Sequence, residues 1–261
     1  MYIAEQNMVA AALGFSRRGK IPFVSTFAAF FSRAYDQIRM SQYSDSNIKF
    51  VGSHAGVSIG EDGSSQMALE DLAMMRAVSE MTIFYPFDAV ATEKIIDLAT
   101  KKHGNVYIRT TRAETPVIYS PEDEFLVGGS KTLKASEEDV VTVVAAGITL
   151  FEALKAYDIL IQEGIKVRII DLYCVKPVDK STLLKAVWET GAIIVVEDHY
   201  TEGGLFGAVA EALTHDNDAN SIYSLAVKKH PISGKPDELL RYAEIDAQAI
   251  VNEVKKIIAD K

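Results

Sequence analysis

The residues best suited to chemistry lie in one glycine-rich run, residues 52–66, which reads Gly-Ser-His-Ala-Gly-Val-Ser-Ile-Gly-Glu-Asp-Gly-Ser-Ser-Gln. It places His54, Asp62 and Gln66 among glycines and other small residues. Glycine lets a backbone bend and approach a ligand closely, and a few convergent polar groups can then bind and orient that ligand. The pattern indicates a functional loop, with an ordinary surface turn as the alternative.

A carboxylate and two phenylalanines form a second candidate group. Glu5 comes directly before an apolar helical pattern, where an acid can also serve only to stabilise the positive end of the helix. Phe27 and Phe30 are three residues apart on a predicted helix and would share one face, in a ring pocket or in an ordinary core. An aromatic wall near Glu5 would keep water away from its carboxyl group. The residues alone leave a helix-start acid and a core aromatic pair open as the alternatives.

Two arginines, Arg109 and Arg112, come at the end of a predicted strand. Open parallel sheets bind ligands at the carboxyl ends of their strands, and the guanidinium group recognises phosphate through paired hydrogen bonds. The residues alone leave open which arginine binds a ligand and which is structural.

An acidic cluster with a histidine, Glu197, Asp198, His199 and Glu202, is typical of a paired-acid or metal site. Its spacing fits no standard zinc pattern, and the single cysteine of the chain, Cys174, adds little. We therefore expect no metal site on this chain.

The elements that must position these residues alternate between strand and helix. Hydrophobic patterns predict strands at residues 22–26, 48–51, 82–85 and 106–109, and helices at 8–15, 27–40, 67–79 and 90–101. Later strands at 140–145, 167–171, 192–197 and 221–227 alternate with helices at 149–163, 179–189, 204–214 and 246–258. Such alternation is typical of parallel sheets covered on both faces.

The alternation stops at residues 113–138, which are rich in charge and contain two prolines and a Gly-Gly pair. We interpret this stretch as a connection that adds edge strands. The predicted fold is α/β, with two consecutive three-layer domains built on parallel sheets. The boundaries are residues 1–120 for the first domain, 121–138 for the linker and 139–261 for the second domain.

Composition narrows the function classes. The 261 residues are 48% hydrophobic and carry a formal net charge of −9, which argues against nucleic-acid binding. One cysteine permits no intrachain disulfide and suits a reducing cytosol. We find no secretory signal pattern and no apolar run of membrane-spanning length, so we expect a cytoplasmic protein that does not bind membranes.

Three segments together resemble the pyrimidine-binding domain of the transketolase family: residues 2–8, 25–33 and 52–66. Two later motifs, Val-Glu-Asp-His at 196–199 and Ser-Gly-Lys-Pro at 233–236, extend the resemblance over essentially the whole chain. The Ala-Glu-Gln-Asn-Met segment and the long glycine loop are its most specific parts. The resemblance places the cluster of Glu197, Asp198, His199 and Glu202 in the C-terminal domain, away from the cofactor, so we favour a structural or interface role for it.

The resemblance implies a role for each candidate residue. Glu5 would hydrogen-bond N1′ of the aminopyrimidine of thiamine diphosphate and so promote loss of the proton from thiazolium C2. Phe27 and Phe30 would pack against the pyrimidine ring. The remaining roles are His54 as a second catalytic residue that contacts the sugar, Asp62 and Arg112 as ligands of a sugar hydroxyl and the sugar phosphate, and Gln66 beside the cofactor.

The resemblance also implies what other chains must supply. In the family a separate N-terminal domain holds the cofactor diphosphate and its Mg²⁺, and nothing in this sequence matches its Gly-Asp-Gly motif. Part of the start of the pyrimidine-binding domain is also expected to be absent. We therefore expect a diphosphate-binding partner chain or domain, in a homodimer or heterotetramer that acts on sugar phosphates.

Two alternatives stay open. The chain could belong to another thiamine-diphosphate enzyme, such as dihydroxyacetone synthase, deoxyxylulose-phosphate synthase or a β-type subunit of a 2-oxoacid dehydrogenase. It could instead be a non-catalytic dimerisation or regulatory module derived from a transketolase. Asp62 and Arg112 favour a phosphorylated polyhydroxy substrate over a simple 2-oxo acid.

Overall fold

The computed structural model describes residues 2–214 and 222–260, which form two five-stranded sheets flanked by helices. The first part of the chain contains helices α1 (Glu5–Ser16), α2 (Tyr35–Tyr43), α3 (Asp71–Ala77) and α4 (Ala89–Lys101) and strands β1 (Phe23–Phe27), β2 (Lys49–Ser53), β3 (Thr82–Phe84) and β4 (Val106–Arg109). Three short 3-10 helices lie at Ala28–Ala34, Val57–Ile59 and Ser64–Gln66.

The second part begins with an edge strand of the connecting segment. Its strands are β5 (Lys131–Lys134), β6 (Thr142–Ala145), β7 (Arg168–Asp171), β8 (Cys174–Lys176), β9 (Ile193–Val196) and β10 (Ile222–Leu225). Its helices are α5 (Ile148–Gln162), α6 (Lys180–Thr190), α7 (Leu205–Leu213), α8 (Pro236–Tyr242) and α9 (Ala247–Ala259).

Both sheets are parallel except for one edge strand each. The first sheet has the order β1-β2-β4-β3-β8, and β8 pairs antiparallel with β3. The second has the order β10-β9-β6-β7-β5, and β5 pairs antiparallel with β7. The edge strand expected from the connecting segment is therefore confirmed as β5, whereas β8 extends from the later part of the chain into the first sheet.

Alternating side chains of the strands fill two faces of each sheet, which gives the three layers expected. In β6, Val143 packs in the core that contains α5 and α9, and Val144 packs in the core that contains α6 and α7. In β4, Tyr107 lies in the core with α1, α2 and α3, while Ile108 lies in the core with α4. The predicted fold class is therefore confirmed.

Some predicted elements are wrong in detail. The helix predicted at residues 27–40 does not form, because Phe27 is still in β1, where it pairs with Ser53 of β2. Residues 28–34 then make a 3-10 helix, and α2 begins only at Tyr35. The helix predicted at 67–79 is shorter, and β8 and α8 were not predicted. The strand predicted at 221–227 starts at a residue outside the described part of the chain.

The parallel strands carry the candidate residues to one edge. Since β1, β2 and β4 run in the same direction, Phe27, Ser53 and Arg109 end their strands at the same side of the sheet. Phe27 and the loops after β2 and β4 therefore meet there. Within the described residues, no helix combines the length and apolarity that a membrane crossing requires.

Candidate functional site

Glu5 is the first residue of α1 and is only 7% exposed. No side chain caps the start of this helix. Glu5 lies in its first turn, where the helix dipole stabilises a negative charge. Arg33 in the 3-10 helix Ala28–Ala34 approaches it, with its Nη1 3.5 Å from Oε2 of Glu5. This ion pair was not predicted, because the two residues belong to different elements.

Three rings form a continuous stack beside this carboxyl group. The ring centroids of Phe27 and Phe30 are 5.4 Å apart and their planes are parallel within 1°. Phe27 also stacks on His54, at 3.9 Å between centroids and 11° between planes. The two phenylalanines do come together, but across the end of β1 and a 3-10 helix, and the shared helical face predicted for them is wrong.

Glu5 and the phenylalanine pair line one open pocket of about 850 Å³. Its remaining lining residues are Tyr2, Ile3, Thr26, Arg33 and Ser53. One wall is aromatic, and a buried carboxylate and a guanidinium group face the same space. This arrangement suits a flat heterocycle that presents a ring nitrogen to the carboxylate.

The glycine loop places its polar residues next to this pocket. His54 has a left-handed backbone conformation, with φ of +58°, and its Nδ1 lies 2.9 Å from Ser53 Oγ. Burial, reinforced by the positive charge of Arg112, lowers the pKa of His54, while Asp62 acts in the opposite direction. The imidazole is therefore neutral at neutral pH and can accept or donate a hydrogen bond.

Asp62 of the glycine loop forms an ion pair with Arg112, which follows β4. Arg112 Nη1 lies 3.2 Å from Asp62 Oδ2 and donates to the carbonyl oxygen of Ile59 at 3.2 Å. Both side chains are partly exposed, so their hydrogen-bonding groups can exchange partners with an incoming ligand. The structure thus places the predicted hydroxyl and phosphate ligands side by side.

Gln66 lies somewhat apart from this group. It ends the short 3-10 helix Ser64–Gln66, which packs beside the 3-10 helix Ala28–Ala34, and its amide oxygen accepts a hydrogen bond from the Ser65 hydroxyl. Among the described residues it is not one that lines the Glu5 pocket. Its predicted position beside the cofactor stays a prediction.

Arg109 is structural and is fully buried. Its Nε donates to Asp71 at 3.0 Å and its Nη2 donates to the carbonyl oxygen of Asp198 at 2.9 Å. The guanidinium group also lies over the ring of Tyr85, 4.6 Å from its centroid. Arg109 therefore ties the end of β4 to the second domain.

Glu197, Asp198 and His199 are buried between the first and the second domain. Glu197 accepts hydrogen bonds from the backbone N–H groups of Leu205 and Phe206 at the start of α7, and burial raises its pKa to about 8. Burial lowers the pKa of His199 to about 4. In residues 2–214 and 222–260, no set of three or more acidic, histidine or cysteine side chains could hold a metal ion. The observed contacts are those of an interface.

Fold and site together define an α/β protein of two parallel-sheet domains with a carboxylate-and-aromatic pocket. Residues 1–117 match the family model for the transketolase pyrimidine binding domain, and residues 130–250 match that for the transketolase C-terminal domain. The chain therefore belongs to the transketolase family and corresponds to its C-terminal portion.

Individual relatives agree with this assignment. Transketolase-like protein 2 of Mus musculus is 52% identical over 259 residues, which are 98% of this chain and 41% of the relative. Transketolase of Homo sapiens is 51% identical over the same shares of the two chains. This chain thus spans about two fifths of the length of these curated relatives.

A solved structure of nearly matching extent is a split-gene transketolase described as an inactive β4 tetramer. It is 39% identical, superposes with a TM-score of 0.88, and the match covers 98% of this chain and 82% of that one. A chain of this extent therefore exists in the family as a separate subunit.

Proposed function

We propose that this chain supplies the proton-accepting and sugar-binding half of a transketolase, which moves a two-carbon ketol unit from a ketose phosphate to an aldose phosphate. The observation that carries the proposal is the shared pocket, in which the buried Glu5 carboxyl group faces the Phe27–Phe30 pair. The stacked His54 ring connects that pocket to the glycine loop. The catalytic residues would be Glu5 and His54.

The pocket fits the aminopyrimidine half of thiamine diphosphate. Phe27 and Phe30 would hold the flat ring, and Glu5 would accept or share a proton at its N1′ atom. When bound, the cofactor supplies an acidic thiazolium carbon that can be activated to attack the ketose carbonyl. The aromatic wall helps to keep water away from the carboxyl group. Gln66 is proposed to lie near the same ring.

The loop side of the site would hold the sugar phosphate. Arg112 would bind the phosphate through its guanidinium group, and Asp62, now its ion-pair partner at 3.2 Å, would accept a hydrogen bond from a sugar hydroxyl. The neutral His54 imidazole would bind a further hydroxyl or the reacting oxygen. The ion pair keeps both side chains in place before substrate arrives.

The diphosphate group and its divalent ion would be held by another domain or a partner chain. The inactive β4 tetramer of the split-gene transketolase supports an assembly in which chains of this type need such a partner. We include in the proposal a cytoplasmic location, consistent with a single, buried cysteine, and an assembly that is a homodimer or a heterotetramer.

The test is reconstitution. The chain is mixed with a diphosphate-binding transketolase chain, thiamine diphosphate and Mg²⁺, and ketol transfer from a ketose phosphate is measured. Glu5→Gln should lower kcat by about a hundredfold or more, since it removes the acid–base group. Glu93→Gln, at an exposed carboxylate on α4, is the matched control.

The outcomes separate the candidates. Activity that Glu5→Gln leaves unchanged would contradict the role of the carboxyl group. Absence of activity with every diphosphate-binding partner would favour the alternative, a non-catalytic module that dimerises with or regulates a transketolase.

A further inference from the structure

The glycine loop is built into the core of the second domain. Val57, Ile59 and Met67 are almost fully buried and pack in one hydrophobic cluster with residues of α5, α8 and α9. The loop that carries His54 and Asp62 therefore depends on the second domain for its shape, although it follows β2 of the first sheet.

Asp198, directly after Glu197 at the end of β9, holds the centre of this loop. Its Oδ1 accepts the backbone N–H of Val57 at 2.7 Å and its Oδ2 accepts that of Ser58 at 3.2 Å. The carboxylate thus caps the 3-10 helix Val57–Ile59. Gly56 makes room for it, because a Cβ atom at this position would lie only 2.1 Å from Oδ2 of Asp198.

Two further contacts hold the other end of the same turn. The hydroxyl of Ser233 donates to the carbonyl oxygen of Glu61 at 2.7 Å. Pro236, at the start of α8, packs so closely that a Cβ atom on Gly60 would lie 3.2 Å from its ring. These contacts enclose residues 56–61, which connect His54 to Asp62.

Asp198 is itself fixed in position and does not reach the site. Its side chain is fully buried, and its carbonyl oxygen accepts a hydrogen bond from Arg109 Nη2 at 2.9 Å. Hydrogen bonds from backbone N–H groups to a buried carboxylate are among the stronger ones in proteins. Asp198 therefore acts on the loop backbone and has no path to a substrate.

We propose that Asp198 of the second domain is a positioning residue for sugar-phosphate binding, because it sets the backbone geometry that brings His54, Asp62 and Arg112 together. This inference rests on the proposed function for the identity of the ligand. It gives the second domain a direct part in substrate recognition, while Glu5 lies on α1 of the first domain and pairs with Arg33.

The experiment compares Asp198→Asn with the wild-type full chain. The amide keeps the size of the side chain but presents an NH₂ group to one of the two N–H donors. Asp158→Asn, which removes an exposed carboxylate on α5 of the same domain, is the matched control. Ser233→Ala removes the exposed hydroxyl contact and serves as the second variant, should Asp198→Asn not fold.

Two readouts are taken. Hydrogen–deuterium exchange of the full chain should show the amides of Val57 and Ser58 exchanging at least about tenfold faster in Asp198→Asn, with sheet amides unchanged. In the reconstituted enzyme, KM for the ketose phosphate should rise about fivefold or more with a smaller change in kcat, and the Kd for thiamine diphosphate should stay the same. Ser233→Ala should show the same pattern with smaller amplitude.

Unchanged hydrogen–deuterium exchange at residues 56–61 in a folded Asp198→Asn chain would overturn the proposal. An unchanged KM for the ketose phosphate in an active enzyme whose Val57 and Ser58 amides exchange faster would also overturn it. If wild type shows no ketol transfer with any partner, the proposed function fails. The exchange measurement then decides by itself whether Asp198 positions the loop.

Discussion

At the scale of single residues, the ring of Phe27 joins the two halves of the candidate site. It stacks on Phe30 in the pocket wall and on His54 of the glycine loop. A substitution of Phe27 should therefore change the titration of the His54 imidazole. This can be measured on the chain without a partner or cofactor.

Phe27→Ala should raise the pKa of His54 toward its ordinary value. Burial is the largest cause that lowers this pKa, and the phenyl ring covers one face of the imidazole. The measurement is a ¹H NMR titration of the His54 ring, whose resonances should also lose the ring-current shift of a stacked neighbour. Phe23→Ala, at an exposed position of β1, is the control. An unchanged titration would contradict the stack.

Removing either charge of the Asp62–Arg112 pair should move the pKa of His54, and in opposite directions. Arg112 lowers this pKa by its positive charge and Asp62 raises it. Arg112→Gln should therefore raise the pKa of His54, and Asp62→Asn should lower it further. The same NMR titration measures both, and the two variants act as controls for each other. Shifts of the same sign would show that the loop has rearranged.

A site residue could be predicted where the evidence for it lies within a few neighbouring residues of the sequence. Glu5 and the glycine loop were found because helix-start acids and clustered glycines are visible within a few residues of sequence. The pairing of Arg33 with Glu5 was not predicted, because an ion pair at 3.5 Å between two elements depends on how those elements pack.

At the scale of elements, the strand–helix alternation was predictable because each buried strand is a short apolar run. Residues 106–109 were predicted as a strand and form β4. The helix predicted at 27–40 was wrong, since pairing of Phe27 with Ser53 in the sheet overrides the local preference. The three-residue strand β8 has too little sequence to give a periodic signal, and its pairing partner β3 lies about ninety residues earlier.

Lys49→Met should destabilise the first sheet, although methionine fills a similar volume. Lys49 begins β2 and is fully buried, and its Nζ donates to Asn47 Oδ1 at 2.6 Å and to the carbonyl oxygens of Lys102 and Gly104 at 2.8 and 2.7 Å. Burial lowers its pKa to about 8. Loss of the donor leaves three partly buried acceptor oxygens without this partner, at a cost of about 2 kcal/mol.

Urea unfolding of the Lys49→Met chain measures that cost. Lys101→Met, at an exposed residue in the last turn of α4, is the control and should change the free energy of unfolding by less than about 0.5 kcal/mol. Equal stability of the Lys49→Met and Lys101→Met chains would mean that the three hydrogen bonds contribute nothing to the junction between β2 and the loop before β4.

At the scale of the whole molecule, a buried polar cluster joins the two domains. Asp71 receives hydrogen bonds from Tyr107 and Arg109 of the first sheet, and His199 of the second domain lies 3.9 Å from it. The sequence predicted that the region around His199 is structural or an interface. It could not identify Asp71 as the facing residue, because more than a hundred residues separate the two.

His199 is held as the neutral imidazole in this cluster. Its Nδ1–H donates to the carbonyl oxygen of Tyr200 at 2.6 Å, and its Nε2 faces the N–H of Ala73 at 3.4 Å. Both nitrogens are thus used without a second proton. Burial lowers the pKa of His199 from 6.5 to about 4, so the unfolded chain binds this proton more readily than the folded chain does.

The contribution of neutral His199 to stability should therefore be complete above pH 6.5 and be lost as the pH falls toward 4. One proton gives a slope of at most about 1.4 kcal/mol per pH unit. His199→Gln removes this contribution, so it should be less stable than wild type at pH 7, and urea unfolding at several pH values should show that difference shrinking as the pH falls from 6.5 toward 4. His103→Gln, at an exposed histidine, controls for the loss of one imidazole. Parallel curves for wild type and His199→Gln would show that protonation of His199 does not drive the acid sensitivity of the interface.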